Sequence, residues 1–159
     1  MYLRRFMLAE FIRDGEDPGM YAEAPGAFKV CSICPTNDPQ TAEILAAAVD
    51  LAARDKKSFR QVMTKLLKVS TLGTPIKEHY DEDQCHEAFE FDYKGKHHTV
   101  WRIRNGDFRL LFFYGHDRII LLTDVLAKRK DKLSESEINR SKEFVKRYLD
   151  ATNYTIIEE

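Results

Sequence analysis

The sequence has little cysteine, and it does not have the pattern of a disulfide-bonded secreted protein. There are three cysteines, an odd number, in 159 residues, and the apolar run near the N-terminus is short and interrupted by Glu10. Such a run is a poor secretory signal, and a cysteine-poor chain without one is typical of a reducing compartment. We therefore expect a cytoplasmic protein. No apolar stretch approaches the roughly 20 residues that a membrane-spanning helix needs.

Motifs of the common catalytic sites are also missing. The sequence has no glycine-rich phosphate loop, no nucleophile elbow and no prominent pair of carboxylates. Cys31 and Cys34 have the spacing of a zinc or redox pair, but a structural zinc needs two further ligands. The candidates for these are His79, Cys85, His86, His97 and His98, and nothing fixes their position. Buried thiols on a strand are the more common outcome, so we predict no metal and no cofactor.

Net charge is small, but the charges are unevenly distributed. The formal net charge of the chain is −1. Residues 94–148 contain 14 Lys or Arg and 7 Asp or Glu, a net charge of +7, and the remainder of the chain carries −8. Charge polarised in this way indicates a basic working face.

Apolar periodicity and turn signals predict an α+β domain. Residues 1–13 have apolar side chains at helical spacing, and a Gly- and Pro-rich stretch follows, so we interpret residues 1–26 as an N-terminal helical extension and residues 27–159 as the domain. In the domain we expect a strand, two helices, four strands and a helix, which is typical of an antiparallel meander with helices packed on one face. The expected elements are a strand at 27–34, a helix at 40–57, a second helix from the capping-box pattern of Ser58 and Gln61, strands around 89–93, 99–104, 107–114 and 119–127, and a helix from the capping box of Ser134 and Glu137. The run from Ile119 to Leu126 is almost entirely apolar, as expected near the middle of a sheet that is covered on both sides.

The best-defined local structure is the hairpin around Asn105-Gly106, a dipeptide that favours a two-residue type I′ turn. That turn places Arg104 opposite Asp107 and Arg102 opposite Arg109. Because side chains alternate across a strand, one face becomes a continuous apolar surface and the other face basic. The apolar face comprises Trp101, Ile103, Phe108, Leu110, Phe112 and Tyr114, and the basic face comprises Arg102, Arg104 and Arg109. Opposed like charges destabilise a sheet, and an anion bound between them would account for the pattern.

A second basic cluster follows the strand at 119–127. If this strand pairs antiparallel with its predecessor, its end lies near Arg109, and Lys128, Arg129 and Lys130 join the basic face. Arginine forks suit phosphate groups, and cations can stabilise the charge that develops when an RNA 2′-OH attacks the neighbouring phosphodiester. Lys128 is a candidate base if neighbouring cations lower its pKa, and His116 is a possible spare acid or base. The alternative is an ordinary solvated face, which Asp107 and Asp124 would partly neutralise.

Taken together, these motifs resemble a known family. The segment VWRIRNGDFRLLFFYGHDRIILLTDVLAKRKDKLSESEINRSKEF, residues 100–144, is similar to the C-terminal half of RelE/ParE-superfamily toxins, especially phage-derived HigB-like members. The shared series is a strand with spaced basic residues, an aromatic-Arg-aliphatic strand, a long apolar strand, a basic pair and a Glu-Ile helix. In this chain these are Trp101–Arg104, Phe108–Leu110, Ile119–Leu126, Lys128-Arg129 and Ser136–Ile138.

The resemblance implies a RelE-like fold and a type II toxin–antitoxin toxin. Such a toxin is a metal-independent endoribonuclease, an mRNA interferase that often acts in the ribosomal A site and is restrained by a cognate antitoxin. By position, Arg102, Arg104, Arg109 and Arg129 match the family's basic cleavage residues and Lys128 matches their basic neighbour. We assign Lys130 and Lys132 to RNA binding. The pI near 6.5 departs from the strongly basic family, and Tyr148 is a poor match for the C-terminal aromatic residue of some members.

Two other functions fit the same residues. In the ParE branch the toxin inhibits DNA gyrase by binding it, and the basic residues here would then form a protein-binding surface. An accessory protein with the same fold and no activity is the third possibility, favoured by the acidic N-terminal part of the chain.

Overall fold

The computed structural model describes residues 1–12, 23–127 and 132–158. Within these ranges the chain forms a seven-stranded sheet and three α-helices, so the predicted α+β class is confirmed. The strands are β1 (Tyr2–Arg5), β2 (Lys29–Cys34), β3 (Cys85–Tyr93), β4 (Lys96–Asn105), β5 (Phe108–Tyr114), β6 (Ile119–Ala127) and β7 (Thr155–Ile157). The helices are α1 (Glu43–Val49), α2 (Ala53–Ser70) and α3 (Glu135–Asp150), with short 3₁₀ turns at Leu8–Glu10, Pro39–Thr41 and Ile76–His79. Of the helices in the described ranges, none is both long and apolar enough to cross a membrane.

The sheet is mixed, with strand order β3-β4-β5-β6-β2-β1-β7. Strands β3 to β6 form the expected antiparallel meander, but β2 lies parallel to β6 and β7 lies parallel to β1. The prediction of a purely antiparallel meander is therefore wrong. The connection through α1 and α2 leads to β3 at the far edge of the sheet, and the three antiparallel steps from β3 to β6 then bring β6 beside β2 in the parallel direction.

Helices cover both faces of the sheet, so the prediction of helices on one face is also wrong. Helices α1 and α2 pack on one face, where Phe59, Val62 and Leu66 meet the sheet residues Leu110 and Phe112. Helix α3 packs on the other face through buried residues Val145 and Tyr148. Strands β5 and β6 are buried at nearly every position because alternate side chains enter the two cores.

The N-terminal segment is a strand rather than the predicted helix. Strand β1 lies between β2 and β7, and Leu3 is fully buried in the α3-side core while Tyr2 is exposed. A short isolated helix is marginal in water, whereas pairing on both sides satisfies the backbone of β1. Tyr2–Arg5 therefore belongs to the same sheet as the rest of the chain.

The helical pair is present, but its break falls earlier than predicted. Helix α1 ends at Val49 and α2 begins at Ala53, so Ser58 lies inside α2 and caps nothing. Gln61 does not complete a capping box, because its side chain accepts a hydrogen bond from Asn105. The second predicted capping box is confirmed: Ser134 Oγ accepts from the Glu137 N–H and the Glu137 carboxylate accepts from the Ser134 N–H.

Candidate nucleic-acid interface

The β4–β5 hairpin positions the candidate site, and its turn differs from the one predicted. The two turn residues are Gly106 and Asp107, with Asn105 paired to Phe108. Gly106 has φ of +60°, and a glycine with positive φ at the first central position is typical of a type II′ turn. The type I′ turn at Asn105-Gly106 is therefore wrong. Asn105 stays in the strand, and its side chain bonds to Gln61 and Lys65 of α2.

The altered turn changes which arginines face each other. Arg104 lies directly opposite Arg109, while Arg102 lies opposite Leu111, so the predicted Arg102–Arg109 pair is wrong. Relative to the predicted register, the pairing is displaced by one residue on each strand. This displacement changes which residues are opposite each other, but every side chain stays on the face of the sheet that was predicted for it. The predicted apolar face is therefore confirmed, since Ile103, Phe108, Leu110 and Phe112 lie in the α2-side core with Trp101 and Tyr114 at its margin.

The three arginines share the opposite face, but they differ in exposure. Arg102 and Arg109 are each 2% exposed, whereas the side chain of Arg104 is 27% exposed. Arg102 Nη2 donates to the Asp83 carbonyl at 3.3 Å, and Arg104 Nη2 donates to the Asp83 carboxylate at 3.1 Å. Arg109 donates to the carbonyl of Asp107. Arg104 is therefore the guanidinium of this group that a ligand reaches first.

Besides Asp83, two carboxylates near this face, those of Asp124 and Asp107, pair with Arg140 and Arg54. Asp124 lies on the arginine face opposite Leu111, and its Oδ2 accepts from Nε and Nη2 of Arg140 at 2.8 and 2.6 Å. Its other oxygen accepts from the Val125 N–H. Burial raises the pKa of the Asp124 carboxyl, and the bonds from Arg140 partly oppose this. The Asp107 carboxylate faces Arg54 of α2 at 3.6 Å. Asp124 is thus tied to α3 by its pair with Arg140.

The basic run after β6 falls outside the described residues. Lys128, Arg129 and Lys130 lie in that part of the chain, so their predicted place beside Arg109 stays a prediction. The pairing on which it depends is present, because β6 runs antiparallel to β5 and Ala127 pairs with Phe108. Lys132 is described and is exposed just before α3.

Neither the cysteines nor the histidines form a metal centre in the described part of the chain. Cys31 and Cys34 belong to the cores on opposite faces of the sheet, as alternation along a strand requires. Burial raises the pKa of Cys31 to about 12 and that of Cys85 to about 11, which disfavours the thiolate. His97 lies 2.8 Å from Asp92, and the hydrogen bond to that carboxylate raises the pKa of the imidazole. His116 stacks on Tyr148 with ring centroids 4.9 Å apart.

Sequence reasoning missed two residues of this site, Asp83 and Arg140. Asp83 lies 19 and 21 positions from its two arginine partners, in a loop that the acidic sequence HYDEDQC marks only as polar. Arg140 lies 16 positions from Asp124, and α3 brings it back over the sheet. No local motif indicates either contact.

With its guanidinium groups on one sheet face and a partly exposed arginine at its edge, the site can hold an anion such as phosphate. On β3, His86 is the residue paired with Arg102, and among the described residues no cluster of side chains suited to a metal ion lies beside the arginines. Comparison of the chain with protein-family models, with curated proteins and with solved structures finds no match in any of the three, so the resemblance to the RelE/ParE superfamily stays a prediction.

Proposed function

We propose that this protein is a RelE-like toxin of a type II toxin–antitoxin system, a metal-independent endoribonuclease that cleaves mRNA in the cytoplasm. The observation that carries the proposal is the direct opposition of Arg104 and Arg109, with Arg102 on the same face. Opposed like charges cost stability in a sheet, and a phosphate bound at Arg104 would add to the neutralisation that the Asp83 carboxylate already supplies. A cognate antitoxin protein and the ribosome are the partners that this function requires.

The proposed reaction uses the RNA's own nucleophile. The 2′-OH loses its proton and attacks the adjacent phosphorus, the bond from phosphorus to the 5′ oxygen breaks, and the products end in a 2′,3′-cyclic phosphate and a 5′-OH. Arg104 contacts the phosphate, and the buried charges of Arg102 and Arg109 favour the extra negative charge of the transition state. Arg129 and Lys128, the family-matched cation and candidate base, complete the proposed set, with Lys130 and Lys132 binding the flanking RNA.

A non-catalytic, ParE-like toxin is the second candidate, and the burial of Arg102 and Arg109 favours it. Buried guanidinium groups bonded to the Asp83 and Asp107 carbonyls also serve to fix the loop and the hairpin end. The surface would then act by binding a protein such as gyrase. An inactive accessory protein would retain the same contacts with no toxicity.

The test is tightly controlled expression combined with mapping of transcript ends, using Arg104→Gln as the site variant. We expect the natural chain to arrest growth and create new transcript ends, and Arg104→Gln to lower the cleavage rate by about 10²–10³-fold, the range for loss of one group that stabilises transition-state charge. Lys96→Gln is the matched control, because Lys96 is an exposed cation at the far end of the same strand. Circular dichroism checks that both variants are folded.

Each outcome discriminates among the candidates. Growth arrest with intact transcripts and a DNA-damage response identifies the gyrase-binding alternative. Normal growth on full induction of the natural chain supports the inactive protein. Equal cleavage by Arg104→Gln and Lys96→Gln contradicts the proposed site.

A further inference from the structure

Helix α2 carries a concentration of positive charge that the proposed cleavage site does not use. Its 18 residues contain six Lys or Arg and one acidic residue, Asp55. Neighbouring like charges at spacings of three and four destabilise a helix, so this arrangement carries a cost in the absence of a ligand. For Lys57 and Arg60, no acidic partner occurs among the residues that the structure describes.

A groove lies beside these charges. It is a cavity of about 500 Å³, and its lining includes Phe11, Ile12, Lys57, Arg60, Lys65 and Asn105. We refer to these six residues as the α2 groove. Phe11 is held against α2. Its ring packs edge-to-face on Phe59 with the ring centroids 6.4 Å apart, and its carbonyl accepts a hydrogen bond from the Thr64 hydroxyl. The groove thus combines a fixed aromatic side chain with three cations.

The α2 groove and the arginine face meet at one hairpin. Asn105 Oδ1 accepts from Lys65 Nζ at 3.1 Å, and Asn105 Nδ2 donates to Gln61 at 2.6 Å, which fixes the end of β4 to α2. The preceding residue on β4, Arg104, points to the opposite face of the sheet. Arg54 of α2 also reaches Asp107 in the turn. Positive side chains therefore occur on both sides of the same hairpin end.

We propose that the α2 groove is a binding site for single-stranded RNA, with one unstacked base against Phe11 and the adjoining phosphates on Lys57, Arg60 and Lys65. This inference rests on the proposed function, because it gives the strand cleaved at the arginine face a second contact beyond the hairpin. Single-stranded nucleic acid is bound by just this combination of a basic track and an aromatic platform. A base in a duplex is stacked and paired and cannot enter the groove, so the ligand is single-stranded.

The experiment measures binding without cleavage. The probe is a fluorescent 2′-O-methyl RNA 12-mer, which lacks the free 2′-OH that the proposed reaction requires, and fluorescence anisotropy gives its dissociation constant with the full-length protein. We expect the double variant Lys57→Gln/Arg60→Gln to bind at least about tenfold more weakly, and Phe11→Leu to bind at least about fivefold more weakly, because a stacked base is lost. Phe11→Leu retains an apolar side chain against Phe59, and thermal unfolding checks both variants.

The control is the double variant Lys56→Gln/Lys68→Gln. This variant also removes two positive charges from α2, but neither Lys56 nor Lys68 lines the groove. Its binding should fall by less than about threefold, since only the long-range electrostatic attraction weakens. Equal losses in the two double variants would overturn the proposal, as would a duplex of the same sequence that binds as tightly as the single strand. Displacement of the probe by polyglutamate at equal charge concentration would instead identify a site for acidic protein segments.

Failure of this inference is distinguishable from failure of the proposed function. If the chain binds the 2′-O-methyl probe through the groove but leaves unmodified RNA intact, the groove is correct and the nuclease assignment is wrong. If it cleaves RNA and the groove variants bind and cleave as the natural chain does, the nuclease assignment stands and the groove is wrong.

Discussion

Asp124 is a carboxyl group of the described residues whose ionisation is opposed by burial. Its side chain is 5% exposed, and burial raises the pKa of the carboxyl despite the bond from Arg140. A carboxyl whose pKa is raised in the folded state binds protons more tightly when folded, so its contribution to stability is greatest below pH 3.8 and is lost as the pH rises through the folded pKa. We therefore expect the stability of the natural chain, measured relative to Asp124→Asn, to fall with rising pH over that window. Urea unfolding of both proteins between pH 3 and pH 7 measures the difference.

Asp150 provides a control of opposite sign. Hydrogen bonds from Lys94 and Tyr93 lower the pKa of its carboxyl, so its contribution is present above pH 3.8 and is lost as the pH falls through the folded pKa. Relative to Asp150→Asn, the natural chain should therefore gain stability as the pH rises. Two differences that change in the same direction would contradict the assignment of burial as the cause at Asp124.

At the scale of residues, the sequence predicts orientation better than it predicts exposure. Alternation alone places Arg102, Arg104 and Arg109 on one face, and that face is what the structure has. The burial of Arg102 accompanies a hydrogen bond to the carbonyl of Asp83, which lies 19 positions away in the sequence. Alternation determines which face a side chain is on, whereas burial depends on what the rest of the chain places over that face.

At the scale of elements, β1 is a strand in a segment where the sequence pattern predicts a helix. Leu3 is fully buried between β2 and β7, so Leu3→Ala should lower the free energy of unfolding by about 2–5 kcal/mol, the usual cost of this truncation in a core. Tyr2→Ala is the matched control on the same strand, because Tyr2 is exposed and its loss should cost less than about 1 kcal/mol. Urea denaturation measures both, and a small cost at Leu3 would indicate a peripheral segment.

Local signals predict some elements correctly, but the turn signal at Asn105-Gly106 and the capping-box pattern at Ser58 do not, and β1, which is set by distant pairing, is not predicted. The capping box of Ser134 and the apolar run of β6 identify their elements from neighbouring residues alone. Strand β1 has four residues, and its strand conformation comes from partners about 30 and 150 positions away. The apolar run of β6 also indicates that both faces of the sheet are covered, because a strand that is buried along its whole length requires packing on both faces.

At the scale of the whole molecule, the parallel pairing of β2 with β6 joins the N-terminal strands to the meander in one sheet. It places α1 and α2 on one face and α3 on the other, so the β4–β5 hairpin lies between two helical layers. Side chains on the two faces of a single hairpin thereby reach both the α2 groove and the arginine face. The cations of α2 and the arginines of the hairpin are separated in sequence by over 30 residues. Both groups nevertheless lie next to the turn formed by Gly106 and Asp107.

This shared turn predicts how RNA binding responds to salt. The logarithm of the binding constant for a single strand falls with the logarithm of salt concentration with a slope of about −0.7 for each phosphate neutralised. If one strand contacts both regions, Lys57→Gln/Arg60→Gln should reduce the magnitude of the slope by about 1.4, Arg104→Gln by about 0.7, and the triple variant by about 2.1. Anisotropy titrations of the 2′-O-methyl 12-mer across a salt series measure all four slopes. A triple variant with the same slope as the double variant would show that Arg104 neutralises no phosphate of the strand held in the groove, because contacts made by one strand must appear together in its counterion release.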